Sequence, residues 1–154
     1  MRKISGILSG VSGEYFVAAE LSRRGYIATL TSKNTKGIDL LASNFDASIV
    51  VGIQVKTNGG SRKAWLLTKE SEDFTSDNLF YIFVNLNGID KPDFYIVPGN
   101  IVSDRVRTSH QKWLQTPAKN GANHNDTSMR MFYDRITENG ESEFLNRWEL
   151  LGLD

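Results

Sequence analysis

The sequence predicts an α/β domain built on a mixed central sheet, in which an antiparallel meander is flanked by helices. Three observations carry this expectation. One amphipathic helical segment, "SGEYFVAAELSRRGY", stands near the N-terminus. Several strand-length runs rich in β-formers follow it, two of them separated only by the short break "NFDA". A further run, "LFYIFVNL", is apolar at every other position and in between, as a strand covered on both faces must be. Helix, three strands, a second helical piece and more strands in that order fit one α/β layer structure.

The helical segment has its own punctuation. Ser12 is expected to cap it, with Glu14 in the first turn where the helix dipole favours an acid. Arg23 and Arg24 suit the last turn and Gly25 the left-handed stop. Val17, Ala18 and Leu21 follow Glu14 by three, four and seven residues, so Glu14 heads the apolar face. Glu20 precedes the two arginines by three and four residues, the spacing of a surface ion pair.

The strands are expected over 26–31, 37–43, 49–56, 64–68, 79–86 and 94–97. "KESEDFTSD" reads as a short acidic helix or turn. Pro98 ends the last strand, and a helix is expected over 101–107. The Gly- and Asn-rich segment 115–128 reads as a long loop. "ESEFLNRWELLGL" reads as an amphipathic helix with Leu145, Trp148 and Leu151 inward. Trp65, Phe80 and Trp148 are core candidates. The whole chain, 1–154, is expected to form a single domain with its core over about 12–97 and a helical and loop extension over about 98–154.

Composition sets limits. Of 154 residues, 40% are hydrophobic and 23% charged, the range of ordinary globular chains. No run is long and apolar enough to span a membrane, so no membrane association is expected. Cysteine is absent, which removes disulfides, thiolate metal sites and a thiol nucleophile, and fits a cytoplasmic location. The net charge is zero, yet residues 1–63 carry nine Lys and Arg against four acids. The loops "NTKG" and "TNGGSRK" place Lys33, Lys36, Arg62 and Lys63 beside one another as candidate phosphate contacts, or as ordinary solvated loops.

The polar residues inside the hairpin are the main functional signal. Alternation puts Ile49, Val51, Ile53 and Val55 on one face of their strand and Gln54 and Lys56 on the other. A turn near Asp46–Ala47 sets Asp39 roughly opposite Gln54. Asp39 and Lys56 then form either an ion pair at the sheet edge or part of a divalent-metal site. For the latter, Asp39, the Gln54 amide oxygen and the Val55 carbonyl offer the oxygen ligands that Mg2+ takes alongside a substrate phosphate. Glu14 reaches the same patch if the first helix packs there.

"GE" in the first helix, then "GID", then "IQVK" resembles the PD-(D/E)xK, or restriction-endonuclease-like, nuclease superfamily, here as a D…QxK variant over residues 13–86. The resemblance implies a restriction-endonuclease-like core. It also implies a catalytic set of Glu14, Asp39, Gln54 and Lys56, a Mg2+ or Mn2+ cofactor, and hydrolysis of DNA phosphodiester bonds. Gln54 stands where many members carry Glu, which keeps an oxygen ligand and loses a charge. The expected partner is DNA, with a homodimer left open. The alternative is a catalytically degenerate nuclease fold serving as a DNA-binding or protein-interaction module. His110 and Trp113 read as a packing pair and His124 as a solvated loop residue. No glycine-rich phosphate loop of the Walker or dinucleotide type is present.

Overall fold

The computed structural model describes residues 4–32 and 36–154. In chain order the elements are α1 (Gly6–Arg23), β1 (Ile27–Leu30), β2 (Leu40–Ser43), β3 (Val50–Asn58), β4 (Ala64–Thr68), β5 (Leu79–Asn85), β6 (Asp93–Pro98), α2 (Gly99–Gln115) and β7 (Met129–Tyr133). Short 3-10 turns cover Lys69–Glu72 and Trp148–Leu151.

The hairpin logic holds in detail. β1, β2 and β3 form an antiparallel meander, and Ala47 takes the left-handed conformation at the β2–β3 turn. β5 then adds parallel to β3, and β6 closes antiparallel on β5, giving a five-stranded mixed sheet in the order β1-β2-β3-β5-β6. All seven residues of β5 are buried, as its two-sided apolar pattern requires. β4 leaves this sheet and pairs with β7 in a separate two-stranded ribbon. Sequence alone gave β4 as a strand and read 115–128 as a loop. β7 lies just beyond that loop, and its partner stands more than sixty residues away, so no local pattern announces it.

Two cores sit on the two faces of the sheet. Val17 and Leu21 of α1 pack on Leu40, Ala42, Val51, Ile53 and Val55. The other core gathers Trp65, Tyr81, Phe83, Tyr95 and Phe132 with Val102 and Val106 of α2. Trp65 lies 5.0 Å from Phe83 and its indole N–H donates to the Val84 carbonyl at 3.1 Å. Each fully buried aliphatic or aromatic side chain of this kind contributes about 1.5–3 kcal/mol.

Three sequence expectations are corrected. α1 starts at Gly6, with Ser5 as the cap accepting from the Leu8 N–H at 3.3 Å, so Ser12 is inside the helix and Glu14 is in its third turn. The glycines and serines of "SGILSGVSG" weaken the helical signal there. α2 is longer than 101–107 and carries His110 and Trp113. The C-terminal segment is a single 3-10 turn rather than a helix, although Trp148 and Leu151 are buried as expected and Leu145 is partly so. The Glu20 ion pairs with Arg23 and Arg24 are present.

Gly13 sets the distance between α1 and β3. A methyl group at this position would lie 1.9 Å from the Thr57 hydroxyl oxygen and 3.0 Å from its Cβ. The helix backbone therefore rests on β3 with no room for a side chain. Gly13→Ala should lower unfolding stability by about 1–3 kcal/mol through overpacking. Gly10→Ala meets no atom within 4 Å and should be neutral or slightly stabilising. Urea denaturation of both variants checks the contrast.

Candidate active site

Asp39 lies one residue before β2, and a local irregularity aims it. Its N–H donates to the Ile53 carbonyl at 2.8 Å, although Ile53 is already the register partner of Leu40. Two residues thus face one, the arrangement of a β-bulge, which bends the chain and redirects a side chain. The Asp39 carboxylate turns to β3 and accepts the Val55 N–H at 2.7 Å. Along β3, Ile53 and Val55 turn their N–H and C=O groups toward the β2 side, while Gly52, Gln54 and Lys56 turn theirs toward β5. The Val55 carbonyl consequently points to the side where Asp39 stands.

Glu14 and Asp39 line one cleft of about 320 Å³ together with Gly10, Thr31 and Ser32. Gly13 seats α1 on Thr57, and Glu14 follows it directly, so the same close approach fixes the height of Glu14 along β3. Gln54 and Lys56, both half-buried, project from the other face of β3 into a second cleft of about 590 Å³, with Lys36, Gly37, Thr68 and Phe74 around them. Lys56 also borders a third cleft with Asn58, Ser61, Arg62 and Leu66. A groove thereby runs past Lys56 from Lys36 to Arg62. Asp39 stands at the end of the sheet on the side of the first cleft, and its hydrogen bond ties it to Val55, the residue between Gln54 and Lys56 in the chain.

The structure brings Glu14 to Asp39 and Gln54 to Lys56, but the expected gathering of Asp39 with Gln54 and Lys56 on one patch is not seen: the two pairs line separate clefts, because the bulge turns Asp39 to the Val55 N–H on the α1 side. Lys36 and Arg62 stand at opposite ends of the groove. Lys63 is exposed and its carbonyl accepts the Asp134 N–H at 3.2 Å; burial pushes the Asp134 carboxyl pKa up, with the Lys63 charge only partly opposing it. Lys33 lies outside the described residues. Among the described residues no three His, Asp or Glu side chains gather in one place. A cation in the Glu14–Asp39 cleft would therefore draw on two carboxylates at most and the Val55 carbonyl, while the Gln54 amide lines the neighbouring cleft. That donor set suits a hard ion that keeps several waters.

One residue of the site went unread in the sequence. Tyr81 is the register partner of Gln54 on β5 and lines the same cleft. Its ring stacks on Phe83, the partner of Lys56, at 5.7 Å and 14°. Its hydroxyl is buried and, among the described residues, has no hydrogen-bond partner. Burial, and next the charge of Asp39, push its pKa up to about 12. Within "LFYIFVNL" a tyrosine is indistinguishable from core until its neighbour on β3 is known. The histidines are structural. His110 stacks on Trp113 at 5.4 Å and pairs with Asp126 at 2.8 Å. His124 was expected in solvent, yet it stacks on Trp113 at 4.0 Å.

The solved structure of a bacterial homing endonuclease, I-Ssp6803I, is similar, with a TM-score of 0.55 and 12% identity, covering 97% of this chain and 94% of that one. The chain shares the fold of that protein. No family model matches the sequence, and no curated protein matches it. At this identity the likeness speaks for the fold, and the chemistry has to be argued from the residues.

Tyr81→Phe removes a buried hydroxyl that has no partner and leaves the stacked ring in place. Stability should rise by about 1 kcal/mol or more, the desolvation cost of such a group. A shift of the urea midpoint to higher concentration at unchanged slope checks it.

Proposed function

We propose that the chain is a metal-dependent endonuclease of the PD-(D/E)xK type, hydrolysing DNA phosphodiester bonds with Mg2+ or Mn2+. The observation that carries this reading is the pinning of the Asp39 carboxylate to the Val55 N–H. That bond sets an acid, an outward carbonyl, an amide and an ammonium within three consecutive residues of one strand and its neighbour. A sheet-edge ion pair would need Asp39 beside Lys56 alone. Instead Asp39 is engaged with the backbone, and Lys56 faces a groove.

Asp39 and the Val55 carbonyl would hold the cation with Glu14 across the cleft, and the Gln54 amide oxygen would reach it from the neighbouring cleft. A bound Mg2+ supplies a lowered pKa for coordinated water and neutralises charge on phosphoryl oxygens. The rest falls to the chain. Lys56 places a positive charge at the groove, where negative charge develops on the phosphate in the transition state. Lys36 and Arg62 line the two clefts that Lys56 borders and would meet the phosphate backbone there. Gln54 in place of a carboxylate lowers the negative charge at the cation, so weaker metal binding is the expected consequence. The DNA partner and the cytoplasmic setting belong to this reading. Among the described residues, no helix is long and apolar enough to cross a membrane.

Nicking of supercoiled plasmid tests the chemistry. The wild type should cut with Mg2+ or Mn2+ and stop with EDTA. Asp39→Asn keeps an acceptor for the Val55 N–H and removes the charge, so it should lose metal binding and nearly all cleavage while remaining folded. Lys56→Ala should bind Mn2+ normally and cut about 100-fold more slowly. Gln54→Glu should bind Mg2+ more tightly with activity kept or raised. Cutting that survives EDTA would refute the mechanism. A wild type that neither cuts nor binds Mn2+ would favour the degenerate fold.

Duplex binding should weaken steeply with salt, because Lys and Arg contacts release counterions. Lys36→Ala with Arg62→Ala should flatten the slope of log affinity against log salt by about 2. Fluorescence anisotropy over a salt series measures it.

A further inference from the structure

The last turns of α2 and the strand β7 enclose a cleft of about 430 Å³, within the size range of small-molecule sites. Aromatic and thioether side chains form most of its wall: Trp113 from the helix, and Met129, Met131 and Tyr133 from the strand. Trp113 is 41% exposed, yet it is already held in place. Both histidines of the chain, His110 and His124, stack on it, and His110 is itself pinned by Asp126 at 2.8 Å. Two hydroxyls also line the cleft. Ser109 donates to the Val106 carbonyl at 3.1 Å and keeps its lone pairs, while Thr127 accepts the Met129 N–H at 3.3 Å and keeps its proton. The permanent charge of Arg130 is spent. Its side chain, 2% exposed, binds Glu72, Asp126 and the carbonyls of Thr127 and Met129. The cleft thus offers flat apolar surface with one hydrogen-bond donor and one acceptor, and its only permanent charge among the described residues is neutralised.

We propose that this cleft takes one unpaired nucleobase, from a nucleic-acid strand whose phosphates lie along Lys56 and Arg62. This rests on the reading of that groove as a nucleic-acid site, and it makes the partner a strand with unpaired bases. Met131 lines both the cleft and the Lys56 groove, and its register partner Leu66 lines the groove as well. The two sites are therefore continuous across one rung of the β4–β7 ribbon. A base stacks on indole and phenol rings whatever its identity, because every base has a π face. Its edge carries donors and acceptors, which the Ser109 lone pairs and the Thr127 proton can meet. With Arg130 neutralised, the cleft holds nothing for a phosphate or a carboxylate, so the phosphates stay in the groove and the neutral base enters. An aromatic peptide side chain would fit the walls but would leave Lys56 and Arg62 without a counterpart. A base inside a duplex has to leave its stack before a pocket can hold it, so a single-stranded or locally unpaired segment is the fitting partner.

Trp113 reports on the cleft directly, because Trp65 and Trp148 are only 2% and 6% exposed. Tryptophan emission of the wild type should be quenched by a short single-stranded oligothymidylate, which forms no structure of its own. A chain of abasic sites of the same length, with the same phosphates and no bases, should bind more weakly and leave the emission unchanged. By fluorescence anisotropy, Trp113→Ala and Tyr133→Ala should each bind oligothymidylate about 10-fold or more weakly, the size of one lost base stack. Both should bind the abasic chain and a blunt duplex as the wild type does. Circular dichroism confirms that each variant is folded, and the wild-type quenching needs no variant. Emission that stays unchanged while oligothymidylate binds overturns the inference. So does equal affinity for the abasic chain, or full affinity in both variants. If duplex binding and plasmid nicking persist in those cases, the nuclease reading stands without the base site. A wild type that binds neither oligothymidylate nor duplex loses both. Quenching by a phenylalanine-rich peptide, with none by oligothymidylate, would assign the cleft to a protein partner and overturn the base site.

Discussion

The hydrogen bond from the Val55 N–H to the Asp39 carboxylate holds together two things that the rest of the site depends on. Mechanically, it joins β2 to β3 just where backbone pairing between them gives out, after Leu40 meets Ile53. Chemically, it orients the acid, because a carboxylate that accepts a short backbone hydrogen bond is held in one direction. The same contact is therefore a structural clasp and a charge-placing device. Replacing the acid by an apolar residue would leave a backbone donor without its acceptor as well as a site without its charge.

β3 is the element around which everything else is arranged. Its odd-numbered residues bury against α1, and its even-numbered residues turn to the aromatic core and then, at Gln54 and Lys56, to open clefts. The neighbour on one side ends early and the neighbour on the other side, β5, runs the full length in parallel. This mismatch leaves one edge of β3 accessible beyond Val55 while the other remains fully paired. α1 approaches the same end through Gly13, whose backbone seats against the Thr57 side chain, so the acid that follows is placed by this close helix–strand contact.

Much of this was legible in the sequence, for physical reasons that also mark where legibility stops. Period-2 alternation fixed the faces of β3, and the short turn fixed Asp39 opposite Gln54 to within a residue. Both are local, with steric rules that hold regardless of context. The bulge at Asp39 was invisible, because a single extra residue changes no pattern. The start of α1 was missed because Gly and Ser disfavour helix in isolation, while the tertiary contact at Gly13 requires one of them. Residues 142–151 have helical periodicity, yet they settle on β6 through the Tyr95–Leu145 bridge and the Asn146 N–H to the Phe94 carbonyl, contacts a free helix could not make. Tyr81 was read as core. It became part of the site only once the parallel register set it beside Gln54.

The separate ribbon of β4 and β7 has a consequence for the order in which the molecule assembles. The clasp between Asp39 and Val55 closes a loop of 16 residues. Trp65 meets Phe132 across a stretch roughly four times longer. Each doubling of a flexible loop adds about 0.6 kcal/mol of closure entropy, so the ribbon closes at a cost about 1.2 kcal/mol above that of the hairpin. Pairings distant in sequence also slow folding. The hairpin can form from local contacts while the ribbon, and with it the far wall of the Lys56 groove, awaits the arrival of the last third of the chain. The acid is in place early, and the groove it would serve is completed late.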